Sequence, residues 1–150
     1  MSHRLPVVAA LLVASLGVVN IAHAEDKKID HEALRQKTIA RAIQYLQSKG
    51  RDKDGSFSNY AGTGITSLVA NALLKNGRSP DDPVVAEALK WVLKHVQKDG
   101  GIYVDGSLYR NYETSVAILA LAAANKDGKY DKIIKNADKF LKGLDRKSVV

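Results

Sequence analysis

Residues 115–124 read SVAILALAAA, a run with no charge and no helix breaker. Alanine and leucine dominate it, and both favour helix. A bilayer crossing needs roughly 20 such residues, so this shorter run predicts a helix enclosed by protein on every side. It follows a loop that begins at Gln97, and the helix is expected to open near Tyr112. The same order occurs upstream, where residues 54–57 (DGSF) precede residues 64–74 (GITSLVANALL). Two copies of one unit point to a repeat architecture.

Between the apolar runs lie segments with one apolar face. In residues 30–48, Leu34, Ile39, Ala42, Ile43 and Leu46 recur at the spacing of an amphipathic helix, with Asp30 placed to cap it and Gly50 to stop it. Residues 51–64, rich in Gly, Ser and Asp, form a loop. The second, apolar helix spans residues 64–75 and is closed by Asn76 and Gly77. Asp82 followed by Pro83 opens a third. Its Val85, Ala88, Leu89 and Val92 form a packed stripe, and Lys90, Lys94 and Lys98 the wet side. A fifth helix starts near Asp131 and carries Ile133, Ile134, Ala137, Phe140 and Leu141.

The alternation predicts an all-α protein with the even helices in an inner layer and the odd ones outside. Ala42, Ala88 and Ala137 recur roughly 46 to 49 residues apart, one helix pair per repeat. Stacked pairs build either an open solenoid or a closed ring.

Residues 1–24 have a short basic start (His3, Arg4), an apolar run and the triplet Ala22-His23-Ala24 before Glu25. This is the pattern of a secretory signal peptide cleaved between Ala24 and Glu25. The mature chain is therefore expected to be exported, periplasmic or extracellular, with no membrane span after cleavage. The length of 150 residues, 45% hydrophobic and 26% charged, fits one globular domain. Although the net charge is +7, the basic residues are spread along the chain and many lie at helical spacing from acids, so nucleic acid is not an expected partner. The absence of cysteine excludes disulfides, thiolate zinc sites and cysteine nucleophiles.

Gln97-Lys-Asp-Gly-Gly101-Ile-Tyr103 resembles the Q-x3-G-x-W motif of squalene–hopene cyclases and their relatives, with Tyr in place of Trp. Gln47, Gly55 and Phe57 resemble an earlier copy with a longer gap, and Thr66-Ser67 and Thr114-Ser115 open the two apolar helices as in the prenyltransferase and squalene-cyclase repeat. The resemblance covers nearly all of the mature chain, about two and a half repeats. It implies a partial α/α toroid, whose inner helices surround a cavity that in the family's enzymes holds an isoprenoid or another apolar substrate. In such a motif the glutamine amide holds free backbone at a helix end, the glycine permits a tight turn and the aromatic plugs a gap between helices. Gln47, Gly55, Phe57, Gln97, Gly101 and Tyr103 are thus expected to be structural.

No catalytic centre is visible. The family's cyclases use a D-x-D-D cluster as a strong buried acid. Here Asp52 and Asp54 read as turn residues, and Asp82 as a cap beside Asp81. The zinc set of its transferases lacks its cysteine, and His31 and His95 read as surface histidines, so no metal and no cofactor are expected. Candidate ligand-lining residues are Tyr60, Tyr112, Glu113 and Thr114, at the starts of the apolar helices and beside Tyr103 and Tyr109.

The last six residues, DRKSVV (145–150), fall where the third copy of the motif is due. A common sequencing-library adapter translates to the same residues in one frame, so the native sequence is expected to end at Leu144 in this chain and to continue through further repeats. The expected function is a ring-type repeat protein that, when complete, binds an apolar or isoprenoid-like molecule in its cavity. Two alternatives stay open: a non-enzymatic module that binds a protein partner, and a polysaccharide lyase on an α/α toroid. A generic HEAT-type solenoid fits the period but does not call for DG-aromatic loops after its outer helices.

Overall fold

The computed structural model describes residues 30–147. The expected signal peptide and its Ala24–Glu25 cleavage site lie outside the described residues. The protein is all-α: α1 His31–Ser48, α2 Thr63–Lys75, α3 Pro83–Leu93, α4 Arg110–Ala124 and α5 Asp131–Lys147, with a 3-10 turn at Asn59–Ala61. Among the described residues the extended pairing is limited to an isolated antiparallel bridge between Val96 and Ile102. No helix among them is long and apolar enough to cross a membrane. The backbone of α5 runs past Leu144 without a break at that point.

Local chemistry sets the helix ends. Asp82 caps α3 by accepting the Val84 N–H at 3.0 Å, Pro83 takes the first helical position, and Arg78 pairs with the cap at 2.9 Å. At the end of α2, Gly77 adopts φ +85° and the N–H groups of Gly77 and Arg78 return to Leu74 and Leu73 at 3.1 and 3.0 Å. This reversal satisfies carbonyls the helix leaves open. Between α4 and α5, Asn125 accepts the Tyr130 N–H at 3.0 Å and donates to Asp131 at 2.6 Å.

α2 and α4 pack side by side and point the same way, since their first turns meet at Thr63–Glu113 and Gly64–Tyr112. Small side chains permit the close approach: Ala70, Ala117 and Ala120 have no exposed surface. α3 lies against α2 and α5 against α4. Val85, Ala88, Leu89 and Val92 of α3 enter the core as their spacing predicts, and Ala137 of α5 joins them.

Three helices are less covered than their patterns predict. α1 buries no residue; Ile43 and Leu46 are half-buried against the core, while Leu34 and Tyr45 stay more than half exposed. α2 and α4 are not enclosed on every side: Ile65 and Leu68 are exposed, as is Leu119 at 54%, and Ile118 is only half-buried. Each inner helix is covered by the other and by an outer helix, and its remaining stripe meets no neighbour among the described residues.

Two loops carry one hydrogen-bond design. The N–H of Asp52 reaches the Ser56 carbonyl at 2.9 Å, and that of Gln97 reaches Gly101 at 2.8 Å. Gly55 and Gly100 both adopt φ +91°, and their N–H groups return to Asp52 and Gln97 at 3.1 and 3.0 Å. Asp54 and Asp99 each accept the N–H two residues on at 3.0 Å. The N–H groups of Phe57 and Ile102 then donate to the hydroxyls of Thr66 and Thr114 at 2.9 and 3.0 Å. Each loop is thereby tied to the inner helix that follows it.

This scheme sets a register one residue away from the sequence alignment. Gly55 corresponds to Gly100 rather than Gly101, Phe57 to Ile102 rather than Tyr103, and Asp52 to Gln97. Gln47 lies exposed in the last turn of α1. Matching aromatic to aromatic misplaced the frame because the shared features are a left-handed glycine and a pinned backbone N–H, not a ring.

Candidate functional site

The loops leading into α2 and α4 flank an open cleft of about 390 Å³. At its floor Glu113, in the first turn of α4, is 2% exposed. Its Oε2 accepts the Thr63 N–H at 2.7 Å, the Thr63 hydroxyl at 3.0 Å and the Val104 N–H at 3.2 Å; its Oε1 accepts the Ser107 hydroxyl. The cap position of α2 is Gly62, which has no side chain to satisfy the open first-turn N–H groups. Glu113 supplies that acceptor from another helix, and its charge complements the positive end of α2. All four donors are neutral, and no ion pair reaches Glu113 among the described residues.

Gly62 makes the approach possible. A Cβ there lies 2.5 Å from the Glu113 Oε2, and its φ of 72° with ψ of −164° belongs to a region that side chains do not adopt. The cleft walls are Tyr60, Leu108 and Tyr109, 88%, 93% and 71% exposed, with Asp105 and Ser107 beside them.

Of the four ligand-lining candidates, the cleft brings together Tyr60 and Glu113. Thr114 is fully buried, its hydroxyl held by the Ile102 N–H, and does not line the cleft. Tyr112 is half exposed and lies against Gly64, where a Cβ falls 2.6 Å from its ring. Asp105, Ser107 and Leu108 were not singled out from sequence. Their signal was available, since Asp-Gly-Ser occurs at both 54–56 and 105–107.

The motif residues have backbone and packing partners. Gln97 donates its amide to the Tyr103 carbonyl at 2.8 Å. Gly101 leaves room for the Tyr103 ring, which a Cβ there meets at 2.5 Å. That ring, 7% exposed, lies 5.6 Å from Phe140 and under the Arg110 guanidinium, and its hydroxyl donates to Asp99 at 2.6 Å. The hydrogen bond to Asp99, then burial, raises the Tyr103 pKa above the ordinary tyrosine value. Phe57 is 2% exposed in the core.

Asp54 and Asp82 serve a loop and a cap. Asp54 accepts from Ser56 and from the Trp91 indole at 3.1 Å, and Asp82 caps α3. His95, expected on the surface, is half-buried instead: its ring lies 4.3 Å from that of Trp91, with Nδ1 3.0 Å from the Trp91 carbonyl oxygen. His95 lies in the turn just after α3, four residues beyond that indole. His31 is exposed at the first position of α1. The described residues contain no group of three or more His, Asp or Glu side chains arranged to hold a metal ion.

No protein-family model matches the chain, and no curated protein matches it.

Proposed function

We propose that the chain is part of an exported repeat protein of the squalene-cyclase and prenyltransferase-like kind, which binds an apolar molecule against its inner helices and does not transform it. One observation carries the reading. Two parallel helices that supply the core also leave Ile65, Leu68 and Leu119 36%, 43% and 54% exposed, at positions that call for a cover. The doubled loop design, each copy tied by a threonine to the next inner helix, supports a repeat of helix pairs. Asp54 and Asp82 are engaged with backbone and indole N–H groups, which favours binding over catalysis.

The test is lipid extraction and mass spectrometry of the purified full-length protein, with displacement of a fluorescent fatty-acyl probe. The expected result is a bound apolar molecule, and probe uptake lost in a Leu68→Lys, Leu119→Lys double variant. A clean extract together with no probe binding removes the reading. The same stripe also suits an apolar face of a protein partner, and that second reading then takes its place.

A further inference from the structure

The cleft at the starts of α2 and α4 is separate from that stripe, and none of Ile65, Leu68 and Leu119 lines it. Its chemistry is unusual for this chain. With 23 Lys and Arg and a net charge of +7, the protein places no basic side chain in the cleft lining. Arg110, next in sequence to Tyr109, turns away and lies over the Tyr103 ring at 5.6 Å from its centroid. The floor is the Glu113 carboxylate, held by neutral donors alone, and a second carboxylate, Asp105, stands exposed at the lining. With no basic side chain in the lining, these two carboxylates are its charged groups. The walls are two tyrosine rings and Leu108.

We propose that this cleft binds an organic cation with a weakly hydrated apolar head, of the quaternary ammonium class. Glu113 is already hydrogen-bonded and all but sealed from water, so it offers charge at short range and no free ligand cage. A small metal ion or a primary ammonium loses hydration there without gaining a set of donors in exchange. A trimethylammonium head loses little hydration, packs its methyl groups on Tyr60, Tyr109 and Leu108, and gains from the aromatic lining and the two carboxylates together. A cleft of about 390 Å³ has room for it.

The experiment compares choline with 3,3-dimethylbutan-1-ol, which has the same shape and no charge. Both are titrated into the full chain and followed by the amide NMR shifts of residues 104–109. The expected result is choline binding roughly five- to thirtyfold tighter than the neutral alcohol, weakening with added salt. Tyr109→Ala and Asp105→Asn, both changes at exposed positions, are each expected to weaken choline binding several-fold. Equal affinity for the two probes, or no shift of these amides with choline while the wild-type spectrum is that of a folded protein, overturns the proposal. Unchanged choline affinity in both variants overturns it as well.

Discussion

Glu113 caps a helix that begins 50 residues before it: its carboxylate accepts both the backbone N–H and the hydroxyl of Thr63, the first residue of α2. This contact joins the two inner helices at their starts and fixes them parallel. It also explains why a charged residue is 2% exposed in a small core: its hydrogen bonds replace the water it loses.

Removing the cap therefore costs stability. Glu113→Ala leaves the Thr63 N–H buried without a partner, and a loss of about 2–4 kcal/mol is expected in urea unfolding, with Glu113→Gln losing less because an amide oxygen still accepts. Gly62→Ala is expected to lose at least as much as Glu113→Gln. Its new Cβ drives the carboxylate off Thr63 and adopts a conformation reserved for glycine. Equal stability of Glu113→Ala and the wild type removes the capping role.

The loop glycines separate two costs. Gly77 has φ +85° and open space around it, whereas Gly100 has φ +91° and a Cβ position 2.8 Å from the Asn136 carbonyl oxygen on α5. Gly77→Ala is expected to lose about 1 kcal/mol from backbone conformation alone. Gly100→Ala is expected to lose about 1–2 kcal/mol more, because α5 must shift to admit the methyl group. Thermal unfolding of the two variants reads the difference.

Leu119 and Leu121 sit two positions apart in an unbroken apolar run, yet one is 54% exposed and the other fully buried. Leu121→Ala is expected to lose about 2–5 kcal/mol. Leu119→Ala is expected to change stability by less than about 0.5 kcal/mol. Similar losses at both sites contradict the packing of α4 described above.

Tyr103 adds a pH dependence at the alkaline end. Its folded pKa is raised above the unfolded one, mainly by the hydrogen bond to Asp99 and then by burial. The native state therefore holds the proton more tightly. The contribution is fully present below about pH 10, the ordinary tyrosine value, and is lost as pH rises through the folded pKa. Wild type is expected to lose stability more steeply than Tyr103→Phe above about pH 10, and the two curves to run parallel below it. Parallel curves throughout exclude the effect.

The sequence by itself determined the helices. Three amphipathic and two apolar runs, the cap at Asp82 with Pro83 behind it, the stop at Asn76-Gly77 and the turn at Asn125 depend on residues within a few positions of one another, and such signals survive without a fold. It also singled out the two DG loops, although not their frame, because the tie runs from a backbone N–H of Phe57 to the Thr66 hydroxyl, so the threonine end is marked by side-chain type and the loop end is not. Only the tertiary structure decided which side of α4 stays open, since Leu119 and Leu121 are alike until neighbours are placed. It alone made Glu113 the cap of α2 and turned Arg110 away from the cleft. Those outcomes depend on helices brought together from distant parts of the chain, and no local pattern records which pairs will meet.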